Sequence, residues 1–471
     1  ALKYLQSNNQ NLDTSKTISQ NIFGLDINRS IARIAKMKLL LEANGKTNIL
    51  CTNSLEDLDS VKLSLGQQNG FDLVLTNPPF GAKITQSSVL SKFDLGHKWG
   101  NKSNEFYQTK TVYANQNAEI LFIERCLQLL KEGGRMAIVL PNGNFENPSL
   151  DYLRYYIKQK AKVLAIVNLP QETFIPFGTG VKTSLLFLEK DTKNEEKHYP
   201  IFFGRITKLG YQGNKNGTPI YQKDKFGQII KDENKQPILD EDFSATIENY
   251  KAFLKGKKIE TENSFSIQFN ELNGRFDYDF YSPENRKLFS NLTNFKTVRL
   301  GDICEIVKTK SRKLKDPNLI VEYVELSDIN THSYEIINST TSQVHELPSR
   351  ASYEIEQGDI ITAIAGNSVG TRKHATALVT EDLAGSICTN GFRVFRNFKI
   401  DSYYLLYYLK SEMFLKQMFM YRTGAAIPNV SDTDLANIII HLPEQKTIDD
   451  ISNKIKKAFE LRQASKQQIE S

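Results

Sequence analysis

The chain has 471 residues, which is more than one hydrophobic core usually serves, so two or three domains are expected. Its 60 Lys and Arg residues barely exceed its 54 Asp and Glu residues, and this balance permits a nucleic-acid partner without requiring one. The cysteines and histidines lack zinc or disulfide spacing, and no apolar run approaches the roughly 18 residues of a membrane span, so we expect a cytoplasmic protein with no metal and no membrane partner.

The first 190 residues alternate short apolar runs with amphipathic stretches. Strands that alternate with helices are typical of a doubly wound, parallel α/β sheet, and the lack of polar alternation in the strands indicates that both faces are covered. The predicted strands are 22–25, 48–51, 71–75, 135–141, 162–170 and 181–190, and helical spacing predicts helices over 28–43 and 117–131.

The rest of the chain changes in composition. Residues 191–292 are polar and turn-rich, and they predict either an extension that carries hairpins or a loop that only connects domains. Residues 293–443 contain short strand-like runs, which predict a mixed, mostly β module with some helix. Residues 444–471 predict a helix whose apolar seam fits either pairing between two copies or packing on its own domain; the seam is Ile448, Ile451, Ile455 and Ala458. No internal repeat is predicted.

A proline-containing motif, Asn77-Pro78-Pro79-Phe80, directly follows the predicted strand 71–75. An amino group on an aromatic ring or amide is a poor nucleophile because its lone pair is delocalised. A carboxamide oxygen on Asn77 and the backbone carbonyl of Pro78 could each accept one N–H bond and draw that nitrogen toward sp³ geometry. The prolines restrict the backbone, and Phe80 offers a flat face for a base. The motif predicts methyl transfer to an amino nitrogen; the alternative is an ordinary proline-rich turn.

Two further polar positions follow predicted strands. Asp26 could bind both ribose hydroxyls of a nucleoside cofactor, with Ile27 packing on its adenine, or it could instead cap the following helix. The run Asn53-Ser54-Leu55 follows the next strand, where a polar side chain could meet the adenine amino group. Either position alone is weak evidence, but their order before the proline motif strengthens both.

Most of residues 18–190 resembles the S-adenosylmethionine-dependent amino-methyltransferases, and most closely the modification subunit of type I restriction-modification systems. The resemblance is carried by IFGLDINRSIARIAKMKLLLEANG, TNPPFG, LKEGGRMAIVLPNG and FGTGVKTSLLFLEK. It implies a Rossmann-like methyltransferase sheet, S-adenosylmethionine as cofactor and N6-methyladenine in DNA as product. By position it implies catalytic roles for Asn77, Pro78, Pro79 and Phe80.

The same resemblance implies a cofactor site formed by Asp26, Ile27, Asn53, Ser54 and Leu55, with Asp26 on the ribose. Asn53 stands where the family usually has an acid, and its amide oxygen can still accept a hydrogen bond from adenine. Phe174 is implied as a second surface for the target base. The Gly-rich loop that should precede Asp26 by a few dozen residues is missing, because no GxG occurs there. We therefore expect an N-terminally truncated sheet, completed by more of the same protein or by a partner chain, that binds S-adenosylmethionine poorly alone.

Residues 271–471 resemble one half of a type I specificity subunit, with one target-recognition domain and one spacer helix. The resemblance is carried by VRLGDICEIV, GDIITAIAGNSVG and TGAAIPNVSDTDLANIIIHLPEQKTID. It implies double-stranded DNA as a partner, together with a second copy of the chain paired through the C-terminal helix and a restriction or nuclease subunit or domain. The implied domains are a truncated methyltransferase core, an extension and linker, a target-recognition domain and a spacer helix, over 1–190, 191–292, 293–443 and 444–471.

DNA contact in this second half should come from local clusters rather than net charge. The run KTKSRKLK at 308–315 holds five basic residues, and polar loops near 366–374 and 421–431 are suited to reading bases; the alternative for a basic run is a solvated surface. The candidate DNA-binding residues are Lys308, Lys310, Arg312, Lys313, Lys315, Arg372 and Lys373.

Taken together, these features predict a site-specific adenine DNA methyltransferase of a restriction-modification system that flips its target base out of the duplex. Two alternatives remain open at this point. The first is an amino-methyltransferase of protein or RNA, and the second is a DNA-recognition component without activity of its own.

Overall fold

The computed structural model describes residues 2–9, 13–42, 47–67, 69–102, 105–193, 198–272, 274–424 and 427–470. The chain forms two compact units: unit 1 comprises residues 1–145 and 149–276, and unit 2 comprises residues 146–148 and 277–471. Within the described ranges, no helix is both long enough and apolar enough to cross a membrane.

Unit 1 is built on a six-stranded mixed sheet, beside a separate parallel pair of strands. The strands in chain order are β1 (Phe23–Asp26), β2 (Asn48–Cys51), β3 (Phe71–Thr76), β4 (Leu130–Pro141), β5 (Ala161–Asn168), β6 (Thr183–Lys190), β7 (Pro200–Arg205) and β8 (Ser264–Gln268). The sheet order is β8-β7-β5-β6-β4-β3, and β1 pairs with β2.

The predicted α/β fold class is confirmed, but the sheet is mixed rather than parallel throughout. β3 runs parallel to β4 and β5 parallel to β7, whereas β6 is antiparallel to both of its neighbours, β4 and β5. The connection from β5 to β6 contains only a short 3-10 segment, Gln171–Phe177. A parallel return needs a long crossover, so this short connection explains the reversed strand.

The sheet continues beyond residue 190, the predicted end of the core. β7 and β8 pair antiparallel, and β7 also pairs with β5. Their side chains lie deep in the core, with Ile201, Phe202, Phe203 and Phe265 fully buried. Both strands are short apolar runs among polar residues, and for this reason the sequence pattern assigned them to an extension.

Helices cover the sheet and the strand pair. The α-helices of unit 1 are Leu2–Asn8, Thr14–Asn21, Arg29–Glu42, Leu58–Leu65, Ser87–Leu90, Ala118–Leu129, Asp151–Lys160 and Phe243–Leu254, and Gly143–Glu146 lies at the boundary between the units. Ala118–Leu129 is buried on most of its surface, as its run of Ile and Leu predicts. The smaller strands are Lys83–Ile84 paired with Gln116–Asn117, and a hairpin of His97–Lys102 with Glu105–Val112.

Unit 2 contains two four-stranded sheets around one large hydrophobic core, which fits the predicted mostly β module. In sheet order, the first has Glu305–Ile306, Phe392–Arg396, Ile360–Ala363 and Thr376–Leu378, and the second has Thr340–Gln343, Ile320–Val324, Ile387–Thr389 and Ala351–Glu354. Two small pairs join Thr297–Arg299 to Ile439–His441 and Ile329–Asn330 to Glu335–Ile336. The α-helices are Tyr278–Tyr281, Pro283–Thr293, Leu300–Ile303, Ser402–Tyr408, Glu412–Tyr421, Asp432–Ala436 and Gln445–Glu470.

The apolar seam of the C-terminal helix packs on its own unit. Ile448 and Phe459 are each 6% exposed within the core of unit 2, and Ile451 and Ile455 pack partly buried against the same core. The Phe459 ring lies 6.2 Å from the ring of Tyr403. Of the two interpretations that the sequence left open, this arrangement is intramolecular packing, and the seam residues are already covered without a second copy.

Candidate active site

The proline motif leaves the carboxyl end of β3, the edge strand of the sheet. The side chain of Asn77 is exposed, Pro78 is buried, and Phe80 is half-buried. Gly81 follows with a φ of +69°, a left-handed conformation that glycine adopts without strain. The loop therefore anchors its first proline in the protein and presents Asn77 toward solvent.

Phe174 lies against Phe80, although ninety-four positions separate them. Their ring centroids are 5.8 Å apart with an interplanar angle of 75°, an edge-to-face contact. Phe174 also lies 6.3 Å from the ring of Phe177, whose side chain is 78% exposed. The structure thus brings together the two aromatic residues that the sequence predicted as surfaces for a base.

A residue that sequence reasoning missed, Glu119, supports the proline motif. Its carboxylate accepts a hydrogen bond of 3.1 Å from the backbone N–H of Gly81. Glu119 is only 2% exposed, and its burial raises the pKa of the carboxyl group. An acid in the first turn of a helix is so common that the sequence carries no signal for this role.

The helix Ala118–Leu129 also holds the loop after β2. Arg125 donates a hydrogen bond of 2.6 Å from Nη2 to the backbone carbonyl of Glu56. Leu55 is 3% exposed and packs in a small cluster with Leu121 of the helix. The side chain of Leu55 is thus a core side chain, and its place in a cofactor site stays a prediction.

Asp26 ends β1, and one of its carboxylate oxygens accepts a hydrogen bond of 2.7 Å from the backbone N–H of Asn28. The helix Arg29–Glu42 is capped by Asn28, whose side chain accepts from the N–H of Ser30 at 2.9 Å. The predicted alternative, in which Asp26 caps this helix, is therefore corrected. The neighbouring Ile27 is 71% exposed and presents an apolar surface beside the carboxylate.

Asn53 lies at the same end of the strand pair as Asp26. Asp26 is level with Cys51 in the register of β1 and β2, and the carbonyl of Asp26 accepts from the N–H of Thr52 at 3.1 Å. The side-chain oxygen of Asn53 accepts from the N–H of Leu55 at 3.0 Å, which uses one of its two lone pairs. Ser54, the next residue, is half-buried.

The region between β1 and β3 exposes apolar side chains. On β3, Leu73 is 55% and Leu75 is 57% exposed, and β3 pairs only with β4 among the described strands. The rings of Phe23 on β1 and Phe71 on β3 lie 5.4 Å apart, so both strands pack on a shared hydrophobic cluster. The helix after β1 likewise exposes apolar side chains, at Ile31, Ile34, Met37, Leu40 and Leu41.

In unit 2, four of the basic residues predicted at 308–315 are exposed: Lys308, Lys310, Arg312 and Lys315. Lys313 differs, because its ammonium group forms an ion pair of 2.9 Å with Glu354 and donates to the carbonyl of Gly385 at 2.7 Å. Both partners belong to the fold of unit 2. These bonds give Lys313 a structural role, and its DNA contact stays a prediction.

Arg372 and Lys373 are exposed on a loop that a buried histidine holds in place. Nδ1 of His374 accepts from the N–H of Gly370 at 3.2 Å, and Nε2 lies 2.8 Å from the hydroxyl oxygen of Thr362. Complete burial lowers the pKa of His374 to about 3, so the ring stays neutral in this hydrogen-bonding pattern. In the other predicted base-reading loop, 421–431, residues 425 and 426 lie outside the described residues.

Each of the two basic loops follows a strand of the same sheet. The strands Glu305–Ile306 and Ile360–Ala363 each pair antiparallel with Phe392–Arg396, so they run parallel to each other. Their carboxyl ends lead into the loops at 308–315 and 366–374 respectively.

Comparison with known proteins gives the family. Residues 1–280 match the family model described as N-6 DNA methylase, and this match covers more than half of the chain. The chain belongs to the N-6 DNA methylase family. Residues 293–471 match a second model, described as the type I restriction modification DNA specificity domain. These matches confirm both resemblances that the sequence predicted.

Several curated proteins resemble this member of the N-6 DNA methylase family. The type I restriction enzyme EcoEI methylase subunit of Escherichia coli is 26% identical over 183 residues, which are 38% of this chain and 33% of that protein. The type II restriction enzyme and methyltransferase RM.BcgI of Heyndrickxia coagulans is 23% identical over 193 residues, 40% of this chain and 25% of that protein. The chain thus spans a quarter to a third of the length of these relatives.

A solved structure resembles part of this member of the N-6 DNA methylase family in sequence. The HsdS subunit from Thermoanaerobacter tengcongensis is 30% identical, covers 37% of this chain and 45% of that chain, and has a TM-score of 0.30.

Proposed function

We propose that the chain carries the methyl-transfer and DNA-recognition parts of a site-specific adenine DNA methyltransferase of a restriction-modification system. The observation that carries the proposal is the loop after β3. It presents the exposed carboxamide of Asn77 beside Phe80, and Phe80 touches the aromatic ring of Phe174. This arrangement combines two hydrogen-bond acceptors for an amino group with a flat aromatic surface for its base.

In the proposed reaction, the target adenine leaves the duplex at a cost of a few kcal/mol. The ring of Phe80 stacks on the extruded base, while the side-chain oxygen of Asn77 and the carbonyl of Pro78 accept the two N6 hydrogens. These bonds would draw the N6 lone pair out of the ring and direct it at the methyl carbon of the donor. As the new N–C bond forms, the bond from that carbon to the donor's sulfur would break and leave its electron pair on sulfur, and N6 would then lose one proton to solvent. Phe80 and Phe174 exclude water from one side of the base, and positioning supplies much of the rate.

We further propose that S-adenosylmethionine binds at the carboxyl ends of β1 and β2, where it supplies the methyl group. The residues there fit its nucleoside part: the half-buried Asp26 carboxylate suits two ribose hydroxyls, and the exposed Ile27 side chain suits an adenine face. Asn53 retains one lone pair for the adenine amino group. The Gly-rich loop is expected on a further strand, and the exposed Leu73 and Leu75 support a place for that strand beside β3.

We propose that unit 2 recognises the DNA sequence through the two basic loops, which follow two strands of its first sheet. The match to a DNA specificity domain supports double-stranded DNA as the partner. The resemblance to type I methylase and specificity subunits also supports assembly with a restriction or nuclease subunit or domain. Pairing of two copies through the C-terminal helix remains part of the proposal, although its seam residues pack on unit 2.

Methylation assays test this proposal directly. The enzyme should transfer methyl groups from radiolabelled S-adenosylmethionine to double-stranded DNA, with the label in N6-methyladenine, and not to protein or RNA from the same host. Asn77→Ala should lower the rate by about 10²–10³ and leave DNA affinity unchanged, because it removes one preorganised acceptor. Label in glutamine or RNA would contradict the proposal, and so would an Asn77→Ala variant of full activity.

The second candidate function, DNA recognition without catalysis, has one observation in its favour. The apolar side chains of Leu73 and Leu75 on β3 are exposed, which suggests that the methyl-donor site needs a further strand. Calorimetry with the 471-residue chain should then give a Kd for S-adenosylmethionine in the millimolar range, or about −4 kcal/mol. Tight binding by this chain would place the complete cofactor site within it.

A further inference from the structure

A long polar ribbon, residues 208–242, extends from unit 1. Its outer backbone segments pair antiparallel through Leu209 with Glu241 and Tyr221 with Leu239. Three turns lie within it, closed by the antiparallel pairs Tyr211–Pro219, Lys223–Ile229 and Lys231–Pro237. The ribbon is therefore an ordered meander of hairpins, which is the first of the two alternatives that the sequence left open for this segment.

The three turns share one construction, although no repeat was predicted. In each, an Asn or Asp side chain accepts hydrogen bonds from backbone amides two to four positions later; these residues are Asn214, Asp224 and Asp232. Three positions after each of them, the chain adopts a positive φ, at Gly217, Gly227 and Lys235. Local side-chain bonds thus hold the ribbon in shape.

The ribbon contains six lysines and six acidic residues, so its net charge is zero. Five acidic side chains accept hydrogen bonds from nearby backbone amides, from Ser244 or from Lys208; they are Asp224, Asp232, Asp240, Glu241 and Asp242. Five lysines are instead exposed to solvent; they are Lys215, Lys223, Lys225, Lys231 and Lys235. Three acidic side chains, Asp224, Asp232 and Glu233, are exposed as well and keep their negative charge. Apart from Lys208, which pairs with Asp240, five exposed lysines therefore stand against three exposed carboxylates, so the exposed surface has a small cationic excess.

The base of the ribbon is attached to the segment that carries Phe174. The hydroxyl of Tyr211 donates to the carbonyl of Thr173 at 2.7 Å. Gly213 packs so closely on Glu172 that a Cβ atom there would lie 2.4 Å from the Glu172 Cβ. An open cleft of about 410 Å³ at this junction is lined by Pro176 and Lys215, among others. The cationic ribbon thus begins within a few residues of the aromatic pair Phe80–Phe174.

We propose that the ribbon binds the phosphate backbone of double-stranded DNA next to the base that is to be methylated. Lys215 lines a cleft with Ile175 and Pro176, which follow Phe174 in the chain, and the other exposed lysines lie on the later hairpins of the ribbon. Ammonium groups suit this role because phosphates are point-like anionic partners that do not depend on sequence. The inference rests on the proposed function for its choice of DNA as the partner.

The test compares two triple variants of equal charge in the full chain. The first, Lys215→Gln with Lys223→Gln and Lys231→Gln, removes three ribbon charges. The matched control, Lys251→Gln with Lys255→Gln and Lys257→Gln, removes three exposed lysines at and beyond the end of the helix Phe243–Leu254 in the same unit. Affinity for a labelled DNA duplex of arbitrary sequence is measured by fluorescence anisotropy over a range of salt concentrations.

We expect the ribbon variant to bind at least about tenfold more weakly near 0.1 M salt. The slope of log K against log salt should fall by about 0.9 for each phosphate contact that is lost. The control variant should bind like the unchanged chain, and replacement of the same three ribbon lysines by arginine should preserve binding. Circular dichroism checks that each variant is folded, and the arginine variant supplies the test if the glutamine variant is not.

Each result has a definite meaning. Unchanged affinity in the ribbon variant, or an equal loss in the control, overturns the inference and leaves the proposed function intact. Loss of affinity in the arginine variant also overturns it, because charge would not be what matters. If the unchanged chain binds no DNA at any salt concentration, the proposed partner fails together with the ribbon.

Discussion

The aromatic rings of Phe80 and Phe174 meet edge to face, with centroids 5.8 Å apart. Phe80 belongs to the loop after β3, whereas Phe174 belongs to the connection between β5 and β6. Since β3 and β6 flank β4 in the sheet, both loops reach the same region of unit 1. The contact joins the proline motif to a segment that the sequence could connect with it only by family resemblance.

Substitutions of this aromatic pair should distinguish stacking from packing. Phe80→Trp should keep most of the methylation rate because a flat face remains, whereas Phe80→Ala should lose about 1–3 kcal/mol of transition-state stabilisation. Phe174→Ala should cause a smaller loss, and Phe177→Ala, which removes a largely exposed ring, serves as the control. The methylation rates of all four variants are measured under single-turnover conditions with a duplex substrate. A Phe80→Trp variant as inactive as Asn77→Ala would show that Phe80 does not stack on the base.

Removal of the Glu119 carboxylate should loosen the proline motif. Glu119→Ala leaves the N–H of Gly81 without its acceptor, and we expect the methylation rate to fall about tenfold, which corresponds to about 1.4 kcal/mol. Glu119→Gln keeps an oxygen for this bond and should recover most of the rate. DNA affinity, measured in parallel, should be the same for both variants. If the rate falls as much in Glu119→Gln as in Glu119→Ala, the negative charge of Glu119 is what matters, and not its hydrogen bond to the loop.

The buried Glu124 should make stability depend on pH. Burial raises the pKa of its carboxyl group from 4.5 to about 7 in the folded protein, although it accepts hydrogen bonds from the N–H groups of Asp94 and Leu95. The folded state holds this proton more tightly than the unfolded state. The stabilisation is therefore complete below about pH 4.5 and is lost as the pH rises to about 7.

Urea denaturation at several pH values measures this effect. The difference in unfolding free energy between the unchanged chain and Glu124→Gln should change with pH in this window, by about 1.4 kcal/mol for each unit of pKa shift. A difference for Glu124→Gln that is constant over the window would show that its proton is not bound more tightly on folding.

Substitution of two nearby lysines of unit 2 by alanine should have different effects, one on DNA affinity and the other on stability. Lys310→Ala should weaken DNA binding without changing stability, because its side chain is exposed on the predicted DNA-binding loop. Lys313→Ala should cost about 1 kcal/mol of stability through its bonds to Glu354 and Gly385, with little effect on DNA affinity. Thermal unfolding and anisotropy titrations separate the two effects. Equal behaviour of the two variants in both measurements would contradict these assignments.

Residues adjacent in sequence could be predicted more reliably than contacts across the fold. The proline motif, the strand before it and the order of Asp26 and Asn53 all follow from local patterns, and the structure places them at strand ends as expected. Glu119 and Arg125 could not be found in this way, because their partners, Gly81 and Glu56, lie far away along the chain.

Other features that the sequence did not reveal have similar causes. Lys313 has the same local sequence context as Lys310, and only the fold shows that Glu354 lies beside it. Leu55 was assigned to a cofactor site by position, whereas the helix Ala118–Leu129 draws its side chain into the core. The antiparallel direction of β6 depends on the short connection before it, which no property of the strand itself reveals.

The helix Ala118–Leu129 has a consequence for how two ligands would influence each other. Through Glu119 it holds the loop proposed for the target base, and through Arg125 and Leu121 it holds the loop proposed for the methyl donor. A ligand that restricts the motion of this helix reduces the conformational entropy that the second ligand must still remove on binding. Donor and target base should therefore strengthen each other's binding by the same factor, a reciprocity that requires no change in the average structure.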